Sequence, residues 1–165
     1  MTVCAIVPDI RKIRGYTKEL EVTKKLMRKK GMHAFRIPTS GSPMLPDVFA
    51  IDSYSKTVYA LEVKSSTRKM IEVERKQIVR LLHFLKAFNT IAKDCVAAIA
   101  LYSYRAKKWR VYVVDRNKIT KVYTVRFYLT DDGFQKEDGV DFLDRGNRAE
   151  LLEQLLNGSR KGVQA

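Results

Sequence analysis

Leu45-Pro46-Asp47-Val48-Phe49-Ala50-Ile51, then Asp52-Ser53-Tyr54-Ser55-Lys56, then Thr57-Val58-Tyr59-Ala60-Leu61-Glu62-Val63-Lys64-Ser65: the reading of this stretch decides the fold. Two apolar, β-branched and aromatic runs flank a cluster of turn formers. That pattern predicts a hairpin with strands over 48–51 and 57–65. Alternate side chains of a strand share a face. Glu62 and Lys64 therefore point one way with Val58 and Ala60, while Tyr59, Leu61 and Val63 point the other. Asp47 opens the first strand, so antiparallel pairing brings its carboxylate beside that of Glu62.

Two carboxylates ~4 Å apart repel by roughly 4 kcal/mol at an effective dielectric near 20. A cation or a raised pKa relieves them. Magnesium suits the first solution, because it takes oxygen ligands and keeps several waters. Lys64 would then orient or activate a water, or stabilise charge growing on a scissile phosphate. The plainer reading of the same residues is a surface ion pair, Glu62 with Lys64, and Asp47 as a turn residue. Spacing alone leaves both standing.

Outward from the hairpin, 15–30 reads as a helix with Leu20, Leu26 and Met27 apolar amid charges and Gly31 as its stop. A strand follows over 33–37, running into the turn-rich loop Pro38-Thr39-Ser40-Gly41-Ser42-Pro43. An amphipathic helix is predicted over 71–88, with Ile78, Leu81, Leu82 and Leu85 at helical spacing. Strands are expected over 95–101, 109–114 and 122–127, and a last helix over 148–156. The order α-β-β-β-α-β-β-β-α makes this an α/β domain with a single mixed central β-sheet flanked by helices. One domain over 1–165 is expected, with 1–10 and 158–165 as loose ends.

The chain carries 32 lysines and arginines against 18 acids, a net charge of +14, with a pI near 9.9. Such a balance points to polyanionic partners, nucleic acid first. The charge is uneven: +8 over 11–36, +7 over 102–130 and −3 over 131–165. One face built for phosphates is expected. Two cysteines (Cys4, Cys95) and two histidines (His33, His83) argue against a closed zinc site, so any metal needs oxygen ligands. No apolar run is long enough to cross a bilayer and no signal peptide is legible, so a cytoplasmic protein is expected, without membrane or small-molecule cofactor. Tyr104 and Trp109 flank Arg105, Lys107 and Lys108; core packing for Trp109 and a charged hairpin turn for the rest is the expected arrangement.

Pro46-Asp47 followed by Glu62-Val63-Lys64 resembles the signature of the PD-(D/E)xK nuclease superfamily. The neighbouring residues resemble its archaeal-type Holliday-junction resolvases, of the Hje or Hjc kind: Arg36-Ile37-Pro38-Thr39-Ser40, Leu45 to Ala50, Leu61 to Ser65, and Gln77 to Phe88. The likeness covers about residues 15–88. It implies a restriction-endonuclease-like core and a homodimer that binds four-way DNA junctions by their structure. It also implies paired nicks made by hydrolysis with Mg2+, Mn2+ substituting, in an archaeal cell or the host of an archaeal virus. By the resemblance, Asp47, Glu62 and a first-helix glutamate are the metal ligands and Lys64 is the catalytic lysine. The helix glutamate maps onto Glu19, with Glu21 as the alternative, because Glu19-Leu20-Glu21-Val22 departs from the family's Glu-Arg-Glu-Leu. Ser40 matches a catalytic loop serine, with Ser42 nearby. Arg14, Lys18, Arg36, Ser42 and Gln77 are the expected DNA contacts. Another superfamily nuclease acting on duplex or flap DNA, and a silent junction-binding paralogue, are the alternatives.

Overall fold

The computed structural model describes residues 9–38 and 44–158. Helix α1 (Ile10–Leu26) starts five residues before the expected 15, because the Asp9 carboxylate accepts the Arg11 backbone N–H and caps it. Asp9 and Ile10 thus belong to the start of α1. The helix ends four residues before the expected 30, and Gly31 instead makes the left-handed turn into β1. Strands β1 (Met32–Arg36), β2 (Val48–Asp52) and β3 (Thr57–Ser66) form an antiparallel meander.

After β3 comes β4 (Met70–Val73), then α2 (Arg75–Lys86). These two elements replace the single helix expected over 71–88. Ile71 and Val73 are buried while Met70 and Glu72 are exposed, so the period there is two, and the helix begins only past Glu74. Strands β5 (Asp94–Ser103) and β6 (Lys108–Val114) match expectation. The expected strand over 122–127 is displaced to β7 (Val125–Thr130). Two short strands, β8 (Gly133–Lys136) and β9 (Leu143–Asp144), go beyond the expected order; α3 (Asn147–Asn157) closes the described chain.

The central sheet has the order β1-β2-β3-β5-β6-β9, with β3 parallel to β5 and the other pairs antiparallel. This is the mixed central sheet anticipated. A second sheet, β4-β7-β8, is added to it. The cores lie on opposite faces, as alternation in β3 requires. Val58 and Ala60 pack with α2 and the small sheet, through Ile78, Leu81, Leu85, Val73 and Phe127. Tyr59, Leu61 and Val63 pack with α1 and α3, through Val22, Leu26, Leu152 and Leu156. Among the described residues no helix is long and apolar enough to cross a membrane.

Candidate active site

Asp47 is fixed before β2 begins. Its N–H donates to the Leu61 carbonyl (3.1 Å) and its Oδ2 accepts the Val63 N–H (2.8 Å), so backbone and carboxylate both bind β3. Glu62 lies on the α2 face of β3, where helix and strand share a core. Gln77 donates from Nε2 to Glu62 Oε1 (2.8 Å), and its Oε1 accepts the Glu74 N–H at the start of α2 (2.9 Å). The amide therefore has one sensible orientation, with its NH2 group aimed at the carboxylate.

Arg80 completes the cluster. It lies one turn beyond Gln77, and its Nη2 contacts both Glu62 Oε2 and Asp47 Oδ1, the latter at 3.4 Å. Its Nε is buried without a hydrogen-bond partner. The guanidinium thus supplies the cation that the carboxylate pair demands. Glu62 and Asp47 are only 2 % and 6 % exposed. Burial, with Asp47 alongside, pushes the Glu62 carboxyl up to about 7. Burial also raises Asp47, against the pull of the Val63 N–H, Arg80 and Lys64. The half-buried Lys64 acts electrostatically on both.

Glu19 comes to this cluster from α1. Burial and the nearby Asp47 raise its pKa, while Arg36 holds its Oε2 at 2.7 Å. Glu21 faces elsewhere. It binds Lys18 and Lys25 (2.7 Å each) and accepts from the Trp109 indole N–H (3.3 Å). Of the two helix glutamates left open by sequence, Glu19 is the one that senses Asp47, while Glu21 is engaged by Lys18, Lys25 and Trp109.

Lys18, expected among DNA contacts, is 9 % exposed, lies 3.5 Å from the Tyr102 ring centroid and pairs with Glu21. Gln77 serves Glu62 rather than an open surface. Arg36 is shared between Glu19 and the Tyr16 ring, and Arg14 is exposed. Ser40 and Ser42 lie outside the described residues. Arg80 is absent from the sequence expectations, although its place three residues after Gln77 puts both on one helix face.

Among the described residues no group of three His, Cys, Asp or Glu side chains is arranged as a metal cage. The donor set still fits a hard cation: two buried carboxylates, both with raised pKa, already share one positive charge. Magnesium needs only one or two carboxylates plus water and substrate oxygens.

Comparison with known proteins places residues 10–148 in the archaeal Holliday junction resolvase (Hjc) family model. A crossover junction endodeoxyribonuclease of Sulfolobus islandicus rod-shaped virus 1 is 33% identical over 101 residues, 60% of this chain and 80% of the relative. The crossover junction endodeoxyribonuclease Hje of Saccharolobus solfataricus is 34% identical over 93 residues, covering 55% of this chain and 65% of the relative. The solved structure of Archaeoglobus fulgidus Hjc, a Holliday junction resolvase, superposes with a TM-score of 0.52 at 20% identity, over 72% of this chain and 87% of that one.

Proposed function

Because the chain belongs to the archaeal Holliday junction resolvase family, we propose that it is a structure-selective endodeoxyribonuclease, resolving four-way junctions by paired, metal-dependent phosphodiester hydrolysis. The observation that carries this reading is the convergence of Asp47 and Glu62 from neighbouring strands, buried, around one shared cationic group within electrostatic reach of Lys64.

Asp47 and Glu62 would hold magnesium, with Glu19 close by. When bound, the ion supplies Lewis-acid stabilisation of the phosphate and eases deprotonation of the attacking water. The protein's own groups do the positioning. The Val63 N–H fixes Asp47, and Gln77, itself fixed by the Glu74 N–H, fixes Glu62. Lys64 presents an ammonium to the negative charge growing on the phosphate. Arg36 holds Glu19 in place. Arg80 keeps the two carboxylates together, and its guanidinium would have to give way to a cation held by them.

Paired nicks need two active sites related by a two-fold axis, hence a homodimer. An aromatic patch supports this. Phe35, 54 % exposed on the edge strand β1, stacks on Phe49, which contacts Phe84 of α2 and Phe88 in the turn after it. A partly exposed aromatic cluster of this kind suits self-association.

The selectivity is tested by offering, with magnesium, a four-way junction and a linear duplex of the same arm sequences. Nicking confined to the junction is expected. Equal cutting of both would favour a nuclease of ordinary duplex, and tight junction binding without nicking would favour a silent paralogue.

A further inference from the structure

We propose that the β3–β4 turn and the β5–β6 hairpin tip beyond Lys64 form a basic ridge that grips the backbone of one duplex arm, several nucleotides from the scissile phosphate. The inference rests on the nuclease reading, which supplies the DNA and the position of the cut.

The ridge grows out of the central pair of strands. Strands β3 and β5 run parallel, Lys64 opposite Leu101 and Ser66 opposite Ser103, so both chains leave the sheet at the same end. The β3–β4 turn there carries Arg68 and Lys69, and the β5–β6 turn carries Arg105 and Lys107, with Lys108 opening β6. No acid occurs in 64–70 or 102–110. The Tyr104 N–H donates to the Ser66 carbonyl (3.1 Å), and Arg105 Nε donates to the Thr67 carbonyl (2.6 Å). These cross-tip bonds fix one turn against the other.

Helix α1 adds a third edge. Tyr102 and Tyr104 meet edge to face, 5.1 Å between centroids, and the exposed Arg14 lies 5.6 Å from the Tyr104 centroid. Arg14, Arg68, Lys69 and Lys107 are exposed, and among the described residues none forms an ion pair with a carboxylate. Several cations elsewhere are paired with carboxylates: Lys29 with Asp52, Arg145 with Glu153, Arg126 with Glu72. Several like charges held together without counter-charges call for a polyanion, and the fixed tips lower the ordering cost of binding one.

Reach sets the footprint. Four residues separate Lys64 from Arg68, at most about 13 Å of strand at roughly 3.3 Å per residue. Phosphates of one DNA strand follow each other at about 3.4 Å along the axis. The backbone thus places Arg68 at most about four nucleotides along the arm from the cut.

The test is junction binding at several salt concentrations without divalent ions, comparing wild type with the combined Arg68→Ala, Lys69→Ala, Lys107→Ala variant. The expected result is a salt dependence shallower by roughly 0.9 in log–log slope for each phosphate that the variant leaves unneutralised, with an unchanged melting temperature. Replacing arm phosphates about three to six nucleotides from the cut by uncharged methylphosphonates should then weaken the wild type towards the variant and leave the variant unmoved. Equal slopes, or methylphosphonates that weaken both proteins alike, would overturn the ridge. A wild type that binds junction and linear duplex equally, with the variant still showing the shallower slope, would sink the junction-selective reading and leave a DNA-binding ridge.

Discussion

Glu62, at 2 % exposure, has lost nearly all its hydration, and this alone makes its charge costly. Burial and the neighbouring Asp47 raise its carboxyl from 4.5 to about 7. A group that holds its proton more tightly when folded costs stability as pH rises from the unfolded value through the folded one. In metal-free buffer, wild type should therefore lose stability relative to Glu62→Gln between about pH 4.5 and 7, with the difference level above that. Urea unfolding in a chelator at about pH 5 and about pH 8 measures it, and a gap that is the same at both would contradict the assignment. The Asp47, Glu62 and Lys64 constellation is legible in the sequence because strand alternation is strict. Arg80 is not, because its side chain crosses from a helix to a strand, and no local period announces such an encounter. The burial of Lys18 is not legible in the sequence, because a count of helix charges does not say which face is covered. Its position four before Val22 and eight before Leu26 puts it on the buried stripe.

At the level of elements, two glycines in or near α1 have opposite prospects. Gly15 lies inside the helix with nothing within 4 Å of an added Cβ, so Gly15→Ala should stabilise by up to about 1 kcal/mol. Gly31 has φ +82°, and a Cβ there would sit 2.5 Å from the Tyr54 ring, so Gly31→Ala should cost roughly 2 kcal/mol. Chemical denaturation of both variants checks the pair; the same sign for both would contradict the local geometry. Long elements with clean periods, β3, β5 and the core of α2, are readable in the chain. Strand β4 is hidden because Ile71 and Val73 run directly into a helix whose apolar stripe begins at Ile78. Strands β8 and β9, of four and two residues, owe their pairing to β7 and β6 and carry no local pattern of their own.

For the whole molecule, the uneven charge is legible from sequence, while the aromatic patch is not. Phe84 and Phe88 lie at helical spacing beside Leu81 and Leu85, and only the fold separates the buried leucines from the partly exposed rings. If the patch joins two copies, Phe84→Glu should yield a monomer by sedimentation, with paired nicking lost; a variant that stays dimeric would place the interface elsewhere. Under the proposed function, the two carboxylates brought together by the hairpin and α2 serve the hydrolysis of junction DNA with a divalent ion. The most direct measurement is nicking of a four-way junction, with and without magnesium, by wild type and Glu62→Gln at matched junction occupancy. The account predicts magnesium-dependent nicking by wild type, and a variant that binds the junction as tightly yet cuts at least ~100-fold more slowly, the scale on which a group stabilising transition-state charge acts. Equal cutting by the variant, or wild-type nicking that persists in a chelator, would contradict it.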